Sequence, residues 1–511
     1  MQAAPALPER DVAPDYGVLR WLVAATFVVI LNETIMINAI PRLMVDFDVD
    51  ASAAQWLSTA FMLTMAVVIP ITGWFLQRVT TRFAFGLAMA TFCTGTLLAA
   101  LAWAFPVLLV ARVIQASGTA VMMPLLMTTL MAIVPVHDRG RVMGNVTLAM
   151  SVAPALGPAV SGVVLQSLSW RWIFLVVLPI AAAIGIVGLR RLRDVGVPVP
   201  GTIDWWSVVI SAIGFGSLVY GLSEVGAVGD HSTAYAALTI GVVGIAGFVW
   251  RQLRLQREDK PLLDLRTLKI PVFTISLGAM SVAFMAMLGS MILLQLYLQN
   301  VRDMSPLATG MLVMPGGLAM GLLGPRVGKV YDARGSRVLV LPGAAGLLAS
   351  MTLLAFLGAT TPTWQILVVH VVLMVSLAAL FTPLFTMGLG SLPPHLYSHG
   401  SSLLGTLQQV AGAFGTALVV MIMSTRTTSQ LSEGATPVAA QLDGMQWAFA
   451  VSAVLCVAVL ALVAFLPARV EEDDSHGAPA AGDDLEEIEA FERDAAGRDD
   501  LDEDDPVACP A

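Results

Sequence analysis

The sequence is poor in charged residues and in cysteine. Asp, Glu, Lys and Arg make up 12% of the 511 residues, whereas soluble proteins average about 25%. This composition, with 57% hydrophobic residues, excludes an ordinary soluble globular protein. The three cysteines, Cys93, Cys456 and Cys509, are too scattered to form a disulfide framework or a metal-ligand motif. The sequence therefore predicts no metal site and no cofactor.

A nucleotide-binding motif is also missing. The chain contains no Gly-x-x-x-x-Gly-Lys-Ser/Thr sequence, the loop that holds nucleotide phosphates in ATP-driven proteins. ATP-driven transport by this chain is therefore unsupported. We therefore do not expect this protein to be an enzyme, and we assign no catalytic residue. We also expect no nucleic-acid partner.

The chain does contain fourteen long apolar stretches. A helix needs roughly 20 apolar residues to cross a bilayer core about 30 Å thick, so these stretches predict membrane-spanning helices. We predict an all-α polytopic membrane protein with 14 transmembrane helices. The predicted spans are 18–40, 54–75, 83–103, 105–128, 142–166, 172–190, 205–224, 234–252, 272–298, 306–327, 336–358, 364–388, 401–423 and 444–466.

Lys and Arg are distributed asymmetrically over the predicted loops. With the N-terminus inside, 22 of the 27 Lys and Arg residues lie inside, four lie outside, and Arg112 lies within a span. Because basic residues favour cytoplasmic loops, this distribution predicts that both termini are cytoplasmic in a multi-pass protein of the cell membrane. Residues 1–17 carry charges ahead of a full-length span, which indicates a cytoplasmic tail and not a signal peptide.

The C-terminal end is strongly acidic. Residues 471–511 contain 17 Asp or Glu and two Arg. High charge with few apolar residues is typical of disordered segments, so we predict a disordered cytoplasmic tail at 467–511. This tail is either a solvated segment without a specific role or a partner-binding or regulatory segment.

Two short basic links repeat one pattern. Residues 73–82 and 328–337 each begin with a glycine at a helix exit, and arginines follow. They occupy equivalent places if 18–190 and 272–466 are two six-helix halves and 205–252 holds two inserted helices. Internal repeats of this kind build alternating access in secondary transporters, with the substrate site between the halves.

Five stretches form motifs that are specific when taken together: 31–41, 73–82, 112–118, 153–162 and 328–337. Through them residues 20–466 resemble the major facilitator superfamily, in particular its fourteen-helix drug:proton antiporter branch and, within it, the lincomycin-efflux-like members. The resemblance implies that fold and proton-coupled drug efflux. It also implies gating roles for Gly73, Arg78, Arg82, Gly328, Asp332, Arg334, Gly335 and Arg337.

The chain departs from the family pattern in two motifs. The usual first-helix Asp is Asn32 here, and an acid follows one place later at Glu33. One residue is about 100° of helix turn, so Glu33 does not simply inherit the environment of that Asp. In the first gating loop the usual Asp and Gly are Gln77 and Thr80. The second loop keeps both residue types.

Three ionisable residues within spans are candidates for proton coupling: Arg112, Glu33 and His370. Burying an arginine in a membrane costs at least about 2.5–3.5 kcal/mol, so Arg112 should face the protein interior or water. The resemblance implies a proton-coupling role, and a structural arginine bonded to backbone carbonyls is the alternative. Glu33 is predicted at nearly the same depth, either as a proton- or cation-binding group or as a structural partner. His370 is either a proton relay or a structural histidine.

Further residues are assigned to substrate binding and to a pivot. Pro154, Gly157, Pro158 and Gly162 form the antiporter-type motif, in which small residues permit close helix packing and prolines bend the helix. Flexible methionines and polar amides suit a pocket for varied apolar ligands. The predicted cavity residues are Asn32, Gln115, Thr119, Met285, Gln408 and Gln409.

The sequence as a whole predicts a monomeric, proton-coupled exporter of an amphipathic small molecule that confers resistance to antibiotics or toxic compounds. Its partners would be that substrate, protons and the lipid bilayer. An uptake symporter or metabolite exporter of the same fold is the first alternative, and a non-transporting receptor or scaffold is the second. The substrate and the proton stoichiometry stay open.

Overall fold

The computed structural model describes residues 17–468 except 38, 196–197, 226–231 and 259, and at 37, 51–52, 158–159 and 225 it describes the backbone alone. The predicted tails at 1–17 and 467–511 therefore lie outside the described residues, apart from 17, 467 and 468. The described residues form fifteen α-helices: α1 (Gly17–Ile37), α2 (Ile40–Phe47), α3 (Ala51–Arg78), α4 (Thr81–Ala100), α5 (Phe105–Ile133), α6 (Arg139–Ser167), α7 (Arg171–Arg191), α8 (Trp205–Val225), α9 (Ser232–Leu255), α10 (Pro271–Leu296), α11 (Pro306–Arg334), α12 (Arg337–Ala355), α13 (Thr363–Gly390), α14 (Tyr397–Ser432) and α15 (Pro437–Ala464).

Fourteen of these helices are long and apolar enough to cross a membrane. A helix makes most of its backbone hydrogen bonds internally, which a segment surrounded by lipid requires. The predicted number of spans is therefore confirmed. The remaining helix of the described chain, α2, has only eight residues and lies between α1 and α3.

Local sequence explains where several helices begin. The Asp50 carboxylate accepts a hydrogen bond from the Ala53 backbone at 2.7 Å and caps α3. Thr80, Ser305 and Thr436 cap α4, α11 and α15 in the same way. These side chains replace hydrogen bonds that the first turn of a helix cannot make internally.

The spanning helices form two groups of six and a separate pair. In the N-terminal group, α1 packs against α5, α6 and α7, and α4 packs against α5 and α7. In the C-terminal group, α12 packs against α13 and α15, and α10 packs against α13, α14 and α15. The α8–α9 pair packs against α3 and α14. The predicted domain boundaries at 18–190, 205–252 and 272–466 follow the same grouping and stay a prediction.

The two faces of the bundle differ in charge. We call the face on which α1 begins the basic side, because arginines cluster at the helix ends there, and the other face the opposite side. The basic-side arginines include Arg78, Arg139, Arg191, Arg251, Arg334 and Arg337.

Contacts between the two groups are concentrated toward the basic side. The α6 and α11 helices lie against each other from Gly140 and Gly328 at the basic ends to Ala155 and Gly317 near mid-helix. The α3 and α14 helices also meet at their basic ends, where the Gln77 amide donates to the His395 carbonyl at 2.8 Å. The described conformation is therefore closed on the basic side.

An ion pair holds the α8–α9 pair together at the basic side. The Asp204 carboxylate, just before α8, accepts hydrogen bonds from Nε and Nη2 of Arg251 at 2.6 and 2.7 Å. These bonds, aided by Ser207, lower the pKa of Asp204 from 3.8 to about 2. The neighbouring Gln252 is buried, and its side-chain oxygen accepts the backbone N–H of Leu262 and Leu263. The α8–α9 pair is thus fixed to the linker that leads to α10.

Candidate functional site

Arg112 lies on α5, seven residues from its start on the opposite side, and is only 1% exposed. Its Nη1 donates to the Gln115 side-chain oxygen at 2.9 Å, and its Nε donates to the Leu57 carbonyl at 3.4 Å. The guanidinium also lies 4.1 Å from the centre of the Phe61 ring. Hydrogen bonds and a cation–π contact thus compensate for part of the cost of burying this charge.

A hydrogen-bonded chain extends from Arg112 into α4. The Gln115 amide nitrogen donates to the Thr96 hydroxyl at 2.8 Å, and Thr96 donates to the Phe92 carbonyl at 2.7 Å. Thr119 donates to the Gln115 backbone carbonyl at 3.0 Å. Gln115, Thr96 and Thr119 are all buried. This chain fixes the orientation of Arg112 on the packed surface between α4 and α5.

Glu33 lies near the end of α1 on the opposite side and is half-buried. Its carboxylate interacts electrostatically with Arg112, although the two groups do not form a direct ion pair in the described structure. The two charges therefore influence each other across the space between α1 and α5, and the predicted coupling role of the pair stays a prediction. An acid and a base that interact inside a membrane span, without being locked together, can respond to a change in protonation of the acid.

Asn32 precedes Glu33 and points into a packed region. It is fully buried, and neither its amide oxygen nor its amide nitrogen has a hydrogen-bond partner among the described residues. An unsatisfied buried amide costs about 1–3 kcal/mol. Such a residue is rarely kept for packing alone, because an apolar residue of the same size avoids the cost.

His370 lies in the C-terminal group, on α13, and is 2% exposed. Its ring lies against Gly316 of α11, where a Cβ would come 2.5 Å from the ring. The imidazole also interacts with the backbone of Val313, which lies on α11. The described contacts of His370 are thus with α11 and do not include Arg112 or Glu33.

The predicted cavity residues fall into two sets. Met285, Gln408 and Gln409 are half-buried on α10 and α14, and Met285 lies against Gly415 where these two helices meet. Asn32, Gln115 and Thr119 are buried in the N-terminal group. In this conformation only the first set combines a partly accessible surface with the adaptable side chains expected of a ligand site.

The predicted pivot lies on α6, where that helix packs against α1. Gly157 is buried, and a Cβ there would overlap the Thr34 hydroxyl. Pro154 is half-buried, and Gly162 has open space where a Cβ would lie. Pro158 lies outside the described side chains. The close α1–α6 approach at Gly157 is the part of the predicted pivot that has a clear packing reason.

The first gating loop lies against the start of α14. Gly73 faces His399, and Arg78 stacks on Trp74 with its guanidinium carbon 4.5 Å from the ring centre. The backbone N–H of Arg82 donates to the Asp194 carboxylate at 2.9 Å. The loop thus contacts both groups of helices, although the side chain of Arg82 is exposed.

The second gating loop lies against the start of α6. The Asp332 carboxylate accepts backbone hydrogen bonds from Gly140 and Arg141, and Gly328 packs on Gly140. Gly335 ends α11 at φ +83°, a conformation that glycine adopts without strain. Arg334 and Arg337 are both exposed, and Arg337 donates to the Leu466 carbonyl at 3.1 Å.

Comparison with known proteins identifies the family. The sequence profile of the Major Facilitator Superfamily matches residues 22–416. The chain belongs to this superfamily. It is therefore a transporter with the superfamily's arrangement of two six-helix halves, here with two further helices between them, and a multi-pass membrane protein.

Two relatives and one solved structure agree with this assignment. An MFS-type transporter of Bacillus subtilis, YcnB, is 40% identical, with 87% of this chain and 92% of that protein covered. The lincomycin resistance protein LmrB of Listeria monocytogenes is 37% identical, with 85% and 93% covered. The solved structure of the proton:xylose symporter XylE has a TM-score of 0.60 at 14% identity over 88% of this chain and 96% of that one, which shows the shared fold alone. The expected resemblance to lincomycin-efflux-like members is confirmed.

Sequence reasoning missed several residues that the structure of this superfamily member brings together. Phe61 and Thr96 complete the surroundings of Arg112 from α3 and α4. Glycines on α11 pack against the small residues on α6. Their spacing of three or four residues in the sequence indicates one helix face that can pack closely. The α11 glycines that face α6 and were missed are Gly317, Gly321 and Gly324, and they continue the row that begins at the predicted Gly328.

Proposed function

We propose that this transporter exports an amphipathic small molecule from the cytoplasm in exchange for protons. The observation that carries the proposal is the buried Arg112 with Glu33 close enough to interact electrostatically, both within spanning helices. A non-transporting protein has no use for these two costly groups in a membrane. In the proposed cycle a proton that binds Glu33 removes its negative charge and weakens its attraction to Arg112. Loss of that proton restores the attraction.

The direction of export depends on orientation. Basic residues favour cytoplasmic loops, so we assign the basic side to the cytoplasm and the membrane to the bacterial plasma membrane. Both termini are then cytoplasmic, and the closed side of this conformation faces the cytoplasm. A membrane-impermeant maleimide should label the variant Asp303→Cys in intact cells. The variant Lys329→Cys, made like the first in a chain without native cysteines, should be labelled only after permeabilisation.

Transport in this proposal proceeds by rocking of the two six-helix groups. The contacts at the basic ends of α6 and α11 would separate, and contacts at the opposite side would form. Pro154 and Gly157 would serve as the pivot where α6 packs on α1, and Met285, Gln408 and Gln409 would contact the substrate. The transporter would act as a monomer, because each chain contains both groups.

The substrate class is inferred from the relatives and from the predicted cavity. Relatives named lincomycin resistance protein and multidrug resistance protein B homolog support an antibiotic or another toxic amphipathic compound as substrate. Methionine and glutamine side chains adapt to ligands of different shape. Efflux of such compounds would make the host resistant to them.

The test is efflux of lincomycin and ethidium from cells that express the chain, with and without a protonophore. We expect export that collapses when the proton gradient is removed. The variant Arg112→Ala should abolish proton-driven export while the protein stays in the membrane, and the exposed Arg326→Ala serves as the matched control. Full export by Arg112→Ala would overturn the coupling role. Uptake in place of export would favour the symporter.

A further inference from the structure

A cavity of about 660 Å³ opens among the loops of the basic side. Its walls come from both six-helix groups: α3 and α5 contribute on one side, and the start of α14 with the linker before α10 contributes on the other. It is separate from the Arg112 site, since the two lie toward different faces of the bundle. The proposed function does not use this cavity.

The cavity carries an excess of positive charge. Three arginines, Arg78, Arg139 and Arg266, line it together with a single acid, Asp264. Asp264 is already neutralised, because Arg266 binds its carboxylate at 3.0 Å and the Gln256 amide donates to it at 3.0 Å. Arg78 and Arg139 are left without an acidic partner in the described structure, so the field in the cavity favours an anion.

Three residues that line the cavity each carry a buried polar atom that has no hydrogen-bond partner among the described residues. These atoms are Oγ of Ser398, Nδ1 of His399 and Nε of Arg78. Ser398 is 4% exposed and His399 is 3% exposed. His399 also interacts electrostatically with both Arg78 and Arg266. Buried polar groups are normally satisfied, so three such groups around one cationic cavity indicate a missing partner that accepts hydrogen bonds.

We propose that this cavity binds a phosphate group. A phosphate offers several acceptor oxygens, which suits the donors that Arg78 supplies from α3 and that Ser398 and His399 supply from α14. The arginine guanidinium also pairs well with phosphate. Because the donors belong to both six-helix groups, a bound phosphate joins them and stabilises the conformation that is closed on the basic side. The phosphate belongs either to a soluble anion or to an anionic lipid headgroup.

The proposal is tested by thermal unfolding of the purified full-length protein, followed by tryptophan fluorescence. In the soluble arm, pyrophosphate is titrated in neutral detergent at constant ionic strength. In the lipid arm, nanodiscs of phosphatidylcholine are compared with nanodiscs of equal parts phosphatidylcholine and phosphatidylglycerol. Each arm uses the wild type, Arg78→Gln, Ser398→Ala and the control Arg254→Gln, an exposed arginine outside the cavity.

We expect a saturable rise in the unfolding temperature of the wild type and of Arg254→Gln in one arm. In Arg78→Gln the apparent affinity should fall about tenfold or more, because a charged hydrogen bond is lost. Ser398→Ala removes one hydroxyl, so it keeps the test valid if Arg78→Gln misfolds. A response confined to the soluble or the lipid arm identifies the source. No response in either arm, or an equal response in all four proteins, overturns the proposal whatever the efflux assay shows.

Discussion

The carboxylate of Asp332 on α11 caps the first turn of α6 at Gly140. Its Oδ1 accepts the Gly140 N–H at 2.8 Å, and its Oδ2 accepts the Arg141 N–H at 2.7 Å. A negative charge at a helix N-terminus is favourable, because the exposed N–H groups there carry partial positive charge. The two helices belong to different six-helix groups, so these two hydrogen bonds join the groups on the closed side. We call them the latch.

The variant Asp332→Asn should weaken this latch. Its amide keeps one acceptor oxygen, loses the negative charge and places an NH₂ group against a backbone N–H. We expect the conformation that is closed on the basic side to lose about 1–2 kcal/mol of stability relative to the open conformation. Spin labels at Arg193→Cys and Lys329→Cys, one on each group, should report longer distances in the variant. The exposed Asp303→Asn on the opposite side is the control, and an unchanged distance distribution in Asp332→Asn would contradict the latch.

The variant Gly328→Ala should open the same interface by steric overlap. A Cβ at Gly328 would overlap the Gly140 carbonyl oxygen, and neither backbone can move without separating α6 from α11. Overpacking of this kind costs about 1–3 kcal/mol. We expect a lower unfolding temperature and the same increase in the spin-label distance.

Gly247→Ala on α9 is the matched control for this variant. The nearest atom to its new Cβ, on Ile210, would lie at 3.9 Å, which is an ordinary contact. Normal stability and closure in Gly328→Ala would show that the glycine contact does not hold the closed side together.

Hydropathy and charge predicted the fold well because they reflect the membrane directly. Each span needs a fixed apolar length, so fourteen apolar stretches gave fourteen helices. Helix ends were less predictable. Helix α14 continues to Ser432, nine residues beyond the predicted end at 423, because a helix can extend past the apolar layer while its side chains become polar. The eight-residue α2 has no long apolar stretch that could have revealed it.

The candidate site was only partly predictable from sequence. A charge such as Arg112 inside an apolar stretch is visible at once, and so is Gln115 three residues later on the same helix face. Partners from other helices carry no such signal. Phe61 and Thr96 look like ordinary span residues until packing brings them to Arg112. The cationic cavity is harder still, because its wall is assembled from segments as distant as Arg78 and His399.

The variant Glu33→Gln should separate substrate movement from proton coupling. An amide of nearly the same shape cannot bind and release a proton. We expect proteoliposomes with this variant to move ethidium down its own gradient but to show at least a tenfold loss of accumulation driven by a pH gradient. The exposed Glu433→Gln on the opposite side should behave like the wild type. Full proton-driven accumulation by Glu33→Gln would exclude Glu33 as the coupling acid.

The variant Asp204→Asn should destabilise the α8–α9 pair in a pH-dependent way. Asp204 has a pKa lowered to about 2 by Arg251, against 3.8 ordinarily, so its charged form stabilises the fold. That stabilisation is complete above about pH 4 and disappears as the pH falls toward 2. At pH 7 we expect the variant to lose about 1–2 kcal/mol of stability, because one bidentate ion pair with partly exposed side chains is lost.

Thermal unfolding of the wild type and Asp204→Asn between pH 7 and pH 3 measures this effect. The difference in unfolding temperature should be constant down to about pH 4 and then shrink, because the wild type becomes protonated and resembles the variant. Arg251→Gln should cost a similar amount, and the double variant should cost much less than the two losses added together, since both remove one interaction. A difference that grows as the pH falls, or fully additive losses, would contradict the ion-pair account.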